Sequence, residues 1–108
     1  MDILNWLMKW YQSNCDGYWE HLYGINIETL DNPGWSVDIN LNDTTFENKI
    51  FNSIKYHKSD NDWIICRVEN SIFKGGGDSS KLEEIFKIFK SWIESDDKRV
   101  VCDEKSSK

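Results

Sequence analysis

The stretch that decides the fold is residues 25–41, INIETLDNPGWSVDINL. Apolar and polar residues alternate on both sides of Asn32-Pro33-Gly34, as in two strands that each bury one face. Proline presets φ and glycine tolerates positive φ, so this tripeptide predicts a three-residue hairpin loop. The resulting register places Asp31 opposite Trp35, Ile27 opposite Ile39, Ile25 opposite Leu41 and Glu28 opposite Asp38.

Working outward along the chain, residues 51–58 and 62–70 predict a second hairpin around Ser59-Asp60-Asn61. The nearly continuous apolar run of residues 63–66 is typical of a central strand. Residues 72–74 are either a short fifth strand or the end of the sheet. Gly75-Gly76-Gly77 resembles a phosphate-binding loop only superficially, because it lacks the closing Gly-Lys-Ser/Thr. We therefore expect residues 75–77 to form a flexible connector.

A helix is predicted on each side of these strands. The first covers residues 2–13, with Asp2 as its cap and residues 14–17 as the turn that ends it. The second begins at Ser80, which together with Glu83 predicts a capping box. Its apolar stripe has helical spacing and consists of Leu82, Ile85, Phe86, Phe89, Trp92 and Ile93.

The sum is an α+β domain: a four- to five-stranded antiparallel meander sheet flanked by an N-terminal and a C-terminal helix. We expect the helices to pack on one face of the sheet. Residues 1–95 form this single domain in our interpretation, and residues 96–108 form a polar, frayed tail.

Composition excludes several classes of protein. The 108 residues carry a net charge of −6, whereas a general affinity for nucleic acid requires an excess of lysine and arginine. The hydrophobic fraction of 39% is too high for a disordered acidic tail. Neither a membrane-spanning apolar run nor a basic signal-peptide region is present, so we expect a cytoplasmic protein that binds no membrane.

The cysteines and histidines give no strong chemical motif. Cys15, Cys66 and Cys102 are an odd number without close spacing, which favours reduced thiols over disulfides or a zinc site. Cys15 and His21 lie in one turn with Asp16 and Glu20, but sequence proximity alone does not make a nucleophile and its base. We therefore predict no catalytic residue, no metal and no cofactor.

Acidic residues are concentrated in one segment. Between Trp10 and Asn48 there are seven acidic residues and no lysine or arginine, while the rest of the chain has 12 acidic and 13 basic residues. An opposed Glu28–Asp38 pair would destabilise the hairpin, which suggests a surface kept for a partner. The alternative is an ordinary solvated face.

Fifteen aromatic residues exceed what so small a core can hold, so some must be exposed. The predicted binding residues are Asp16, Tyr18, Trp19, Glu20, Glu28, Asp38, Asp43 and Glu47.

The segment WYQSNCDGYWEHLYGI at residues 10–25, followed by LDNPGW at residues 30–35, resembles the immunity protein 53 family of bacterial polymorphic toxin systems. The later stretch of residues 62–70 and residues 73–75 are also similar to that family, and the resemblance covers about residues 1–95. It implies a small α+β antidote that binds a toxin, and it carries over no catalytic residue.

The resemblance and the charge pattern together predict an immunity protein. It would bind and neutralise a cognate toxin, with a basic nuclease-type toxin as one candidate, through an acidic surface that contains aromatic side chains. The free protein would be a monomer or a homodimer. Two alternatives stay open: an acidic interaction or regulatory module without a toxin partner, and a small enzyme that uses Cys15 and His21.

Overall fold

A computed structural model describes residues 2–95 of the chain. It contains three helices and five strands within that range. In chain order they are α1 (Ile3–Asn14), α2 (Trp19–Leu22), β1 (Ile25–Leu30), β2 (Gly34–Asn40), β3 (Ile54–Ser59), β4 (Asp62–Glu69), β5 (Ile72–Gly77) and α3 (Leu82–Glu94). The single-turn helix α2 was not predicted. The predicted tail, residues 96–108, and Cys102 lie outside the described residues.

The five strands form one antiparallel sheet in the order β1-β2-β5-β4-β3. The β1–β2 hairpin and the β3–β4–β5 meander are joined where β5 pairs with β2. This confirms the predicted α+β class, with an N-terminal and a C-terminal helix beside an antiparallel sheet. β1 and β3 are the two edge strands.

The three consecutive glycines belong to the central strand, so the expected flexible connector is wrong. Gly75 lies opposite Val37 on one side and Cys66 on the other. A Cβ at Gly75 would lie 2.5 Å from Ile85 Cγ2 of α3, and a Cβ at Gly77 would lie 2.7 Å from Lys81 Cβ. At Gly75 and Gly77 the start of α3 and the residue before it therefore lie too close to the sheet for a side chain.

The register of the first hairpin also differs from the prediction, by two residues. Leu30 pairs with Gly34, so the loop is Asp31-Asn32-Pro33, and Glu28 lies opposite Ser36 instead of Asp38. Gly34 is not among the residues with positive φ; it lies in the strand, where a Cβ would be 2.5 Å from the Gly77 carbonyl oxygen. Close packing against β5, and not turn geometry, requires this glycine.

The core lies between one face of the sheet and the helices. α1 contributes Leu7 and Trp10, and α2 contributes Trp19. The other buried apolar side chains come from the sheet, from the segment after β2 and from α3: Val37, Ile39, Leu41, Ile64, Cys66, Phe73, Ile85, Phe86, Phe89 and Trp92. Edge-to-face ring pairs, such as Trp10 with Phe89 at 5.0 Å, fill its centre.

One of the two predicted caps is confirmed. The Asp2 carboxylate accepts a hydrogen bond from the Leu4 backbone N–H at the start of α1. The Ser80–Glu83 capping box is wrong, because α3 begins after Lys81 and has no side-chain cap. The Ser80 N–H and hydroxyl donate instead to the buried Asp78 carboxylate.

No helix among residues 2–95 is long and apolar enough to cross a lipid bilayer.

Candidate functional site

The turn between α1 and β1 is held by its own carboxylates. Asp16 Oδ1 accepts hydrogen bonds from the backbone N–H groups of Tyr18 and Trp19, both at 3.0 Å. The Glu20 carboxylate accepts from the N–H groups of Asp16 and Gly17 at 2.9 and 2.8 Å. The two acids thus cap the start of α2 reciprocally, as in a capping box.

These hydrogen bonds keep both carboxylates ionised. The pKa of Asp16 lies below its ordinary value, because the N–H groups of Trp19 and Tyr18 stabilise the charged form. The pKa of Glu20 is also lowered, first by its own backbone N–H and then by those of Gly17 and Asp16. Two negative charges are therefore present at neutral pH on a rigid turn.

The loop after β2 carries a second pair of acids. Asp43 has a φ of 64°, and its backbone N–H donates to Glu47 Oε1 at 3.2 Å. The Ser71 hydroxyl donates to the Glu47 carbonyl oxygen and ties this loop to the turn between β4 and β5. Burial, followed by the Asp43 charge, raises the pKa of Tyr23, so the phenol lies beside this loop.

Both acidic segments pack on the same indole. The Trp10 ring lies 6.2 Å from that of Trp19 and 6.4 Å from that of Phe46. Tyr23 lies near both segments, because, after burial, Asp43, Tyr18 and Glu47 all raise the pKa of its phenol. The two acidic segments therefore lie together at one end of the molecule. We call this surface the acidic end and define it by Asp16, Tyr18, Glu20, Tyr23, Asp43 and Glu47.

Within residues 2–95 no lysine or arginine forms an ion pair with the four carboxylates of the acidic end. Tyr18 lies among them with 55% of its surface exposed. The acidic end is thus a negative surface with an aromatic ring available for contact.

Trp19 does not belong to this surface. Only 1% of the residue is exposed, because its ring packs against those of Trp10 and Tyr11. The sequence marked it as a binding residue because it stands between Tyr18 and Glu20. As the first residue of α2, Trp19 points into the core, and it packs beneath the acidic end.

Glu28 and Asp38 lie apart from the acidic end, on the sheet face that the helices leave uncovered. Asp38 faces Asn26 on one side and Lys74 of β5 on the other. Glu28 is therefore a diagonal neighbour of Asp38 and not its direct partner, and a lysine from a distant strand lies beside Asp38. A cleft of about 290 Å³ runs from Asp38 to Tyr23 and so connects Asp38 to the acidic end.

The cysteines and histidines are not arranged as a nucleophile and base. The Cys15 thiol donates to the Tyr11 carbonyl oxygen at 3.3 Å, and no hydrogen bond joins it to the exposed His21 in the described chain. Burial, and then the Glu84 carboxylate, raises the pKa of the Cys66 thiol to about 12, so it is protonated at neutral pH. No group of three metal-ligating side chains is found within residues 2–95.

Sequence reasoning missed the part that Tyr23 and Lys74 play at these sites. Tyr23 is half-buried beside Asp43, and the sequence indicated only that it was one of several aromatic residues near the surface. Lys74 lies beside Asp38 because β5 pairs with β2, and no local sequence pattern reports which strands are neighbours.

The chain was also compared with known protein families. The family model described as Immunity protein 53 matches residues 4–94, which confirms the resemblance noted in the sequence. The chain belongs to the Immunity protein 53 family. Membership supports an immunity function and suggests an inhibitor that is not an enzyme. Comparison with curated proteins and with solved structures gives no significant match.

Proposed function

We propose that this immunity protein neutralises a cognate toxin domain by binding a positively charged surface of that domain with the acidic end. The observation that carries the proposal is the convergence of four carboxylates, none of them paired with lysine or arginine within residues 2–95. A toxin with a basic substrate cleft, such as one that acts on nucleic acid, has the complementary charge.

The geometry suits rapid and durable binding. Opposite charges steer two proteins together and raise the association rate by about 10- to 1,000-fold at low ionic strength. The carboxylates of Asp16, Glu20 and Glu47 are already oriented by backbone hydrogen bonds, so little side-chain entropy is lost on binding. The exposed Tyr18 ring supplies the kind of aromatic contact that is enriched at interface hot spots.

The test is a triple variant that replaces three of the four carboxylates with neutral amides and keeps the local hydrogen bonds. Asp16→Asn retains an acceptor for both N–H groups, Asp43→Asn tolerates positive φ, and Glu47→Gln retains its acceptor. We expect the triple variant to associate at least about 10-fold more slowly at low salt with the C-terminal domain of the toxin encoded beside this gene. Stopped-flow measurements over a range of salt concentrations would show this, and cells that express the toxin should lose protection.

The matched control removes the same net charge elsewhere. Asp60→Asn, Glu83→Gln and Glu94→Gln change exposed side chains of the β3–β4 turn and α3, and this triple variant should bind as the wild type does. Equal association rates for the two triple variants would disprove the role of the acidic end. If the toxin domain does not bind the wild type at any salt concentration, the alternative of an interaction module without a toxin is favoured.

A further inference from the structure

The two edges of the sheet differ in how they are protected. Native proteins block edge strands with lysine, proline or a bulge, because an unpaired strand edge is a template for another strand. β3 carries Lys55 and Lys58, and its register shifts between His57 and Ser59. β1 has six regularly paired residues and contains no lysine, proline or bulge. β1 is therefore the open edge.

The backbone groups that β1 offers can be identified from its pairing. The Asn40 N–H donates to the Gly24 carbonyl oxygen at 3.0 Å. Hydrogen-bonded and non-hydrogen-bonded pairs alternate in an antiparallel ladder, so Asn26 and Glu28 direct their backbone groups toward β2. Those of Ile25, Ile27 and Thr29 point away from the sheet, which leaves three N–H donors and three carbonyl acceptors for a further strand.

The side chains of β1 present apolar surface and negative charge. Ile27 is 44% exposed on the face that carries the core, and Glu28 is exposed on the other face. β1 and β2 together contain Glu28 and Asp38 and no lysine or arginine. The chain enters β1 from Tyr23, which belongs to the acidic end.

We propose that β1 is the docking edge for an extended, positively charged strand of the toxin domain, which would add to the sheet as a sixth strand. This inference rests on the proposed immunity function and names the mode of binding. The exposed Glu28 on β1 and the neighbouring acidic end favour a strand with lysine or arginine beside Glu28.

A second copy of this chain fits the edge less well. Antiparallel pairing of β1 with itself, with the strands overlapping along their length, places the two Glu28 carboxylates directly opposite or diagonal to each other. Like charges directly opposite each other destabilise a sheet, and long side chains are still within reach of each other across a diagonal. The same glutamate thus disfavours self-pairing and favours a cationic strand.

Amide hydrogen exchange tests the inference residue by residue. In the free protein the N–H groups of Ile25, Ile27 and Thr29 should exchange fast, as should the outward-facing N–H groups of Lys55 and His57 on β3. In the complex with the toxin domain encoded beside this gene, we expect at least about 10-fold slower exchange at the three β1 positions. The two β3 positions should not change.

Two variants separate backbone from side chain. Ile27→Pro removes an outward N–H but none that bonds β2, and proline is tolerated at such a position of an edge strand. Ile27→Ala removes the side chain alone. We expect the proline variant to bind the toxin domain at least about 10-fold more weakly than the alanine variant, and Lys55→Pro on the other edge to bind as the wild type does.

The outcomes are distinguishable. Binding of the toxin domain without protection of the β1 amides would overturn this inference and leave the proposed function standing. No binding by the wild type would overturn both. Protection of Ile25, Ile27 and Thr29 already in the free protein would also overturn the inference, because the edge would then be occupied by this chain itself.

Discussion

Gly75 and Gly76 are neighbours in the central strand, but their missing side chains serve opposite faces of the sheet. A Cβ at Gly75 would meet Ile85 Cγ2 of the overlying helix at 2.5 Å, which the packed core cannot accommodate without a shift. A Cβ at Gly76 would point to the uncovered face, where its nearest neighbour, Ile65 Cγ2, is 3.5 Å away. Packing therefore requires glycine at one position and not at the other.

This difference predicts opposite results for the same substitution. Gly75→Ala should lower the free energy of unfolding by about 1–3 kcal/mol, because it overpacks the contact between β5 and α3. Gly76→Ala should leave the stability unchanged or raise it by up to about 1 kcal/mol, since alanine restricts the unfolded chain. Urea unfolding of both variants measures the difference. Equal losses would contradict the close approach of α3.

Asp78 is the buried acid that joins the second hairpin to α3. Its carboxylate accepts from Lys81 Nζ and from the Trp63 N–H, both at 2.8 Å, and from Ser80. Lys81 Nζ also donates to Asp62 at 2.8 Å. The hydrogen bonds from Lys81 and then Ser80 hold the pKa of Asp78 well below its ordinary value. The folded state therefore favours the ionised form of the Asp78 carboxylate.

A pH dependence of stability follows from this shift. A lowered pKa in the folded state contributes stability above the unfolded pKa of about 4, and that contribution is lost as the pH falls toward the folded value. Asp78→Asn should be less stable than the wild type at pH 7, and the difference should shrink below about pH 4. Urea unfolding at pH 7 and pH 2.5, as approximate set points, tests this. Asp60→Asn, at an exposed turn, should show no such convergence.

At the scale of the elements, alternation in the sequence was sufficient to predict the strands but not their register. A shift of two residues leaves every side chain of the β1–β2 hairpin on its original face, so the apolar pattern allows both registers. The observed register includes Gly34 in β2, where it lies against the Gly77 carbonyl oxygen of β5. That contact is between distant segments, and the local pattern does not contain it.

The acidic end could be predicted in part for a similar reason. Asp16 and Glu20 were recognised as neighbours in one turn, and Asp43 and Glu47 only as members of the segment without lysine or arginine, although each pair is joined locally in the structure. The two turns meet through Trp10, which only the packing shows. Asp38 was placed opposite Glu28 because the predicted register was wrong by two residues, and its neighbour Lys74 comes from a strand 36 residues later. Local patterns find turns, whereas strand order decides which turns and faces lie together.

If the lysines of edge strand β3 prevent strand addition, their removal should increase self-association of the protein. Replacing Lys55 and Lys58 with threonine would leave β3 with exposed Ile54 and Tyr56 and no lysine. We expect this double variant to form dimers or larger species at concentrations where the wild type does not, by analytical ultracentrifugation. Lys87→Thr, on the exposed face of α3, is the control. A double variant that sediments as the wild type does would show that the bulge alone protects β3.

At the scale of the whole molecule, the negative charge and the unprotected strand edge lie on the same side of the protein. The acidic end and the unguarded β1 edge come from residues 16–47, which contain no lysine or arginine, and the lysine-bearing β3 forms the opposite edge of the sheet. A cationic partner would therefore be attracted to the side on which a strand can be added. Orientation by charge and pairing by backbone hydrogen bonds would act together in one encounter.

The distribution of the core predicts which part of the chain is sufficient to fold. Every buried apolar side chain in the described structure lies between Leu7 and Trp92, and the family match ends at residue 94. A chain that ends at Ser95 should therefore unfold in urea within about 1 kcal/mol of the full-length protein, which corresponds to a Tm within about 4–8 °C. A chain that ends at Ile88 loses Phe89 and Trp92, and with them the ring contacts to Phe73 and Phe51. It should be unfolded, because each such deletion costs about 3–5 kcal/mol. A larger loss for the chain ending at Ser95 would mean that residues 96–108 belong to the folding unit.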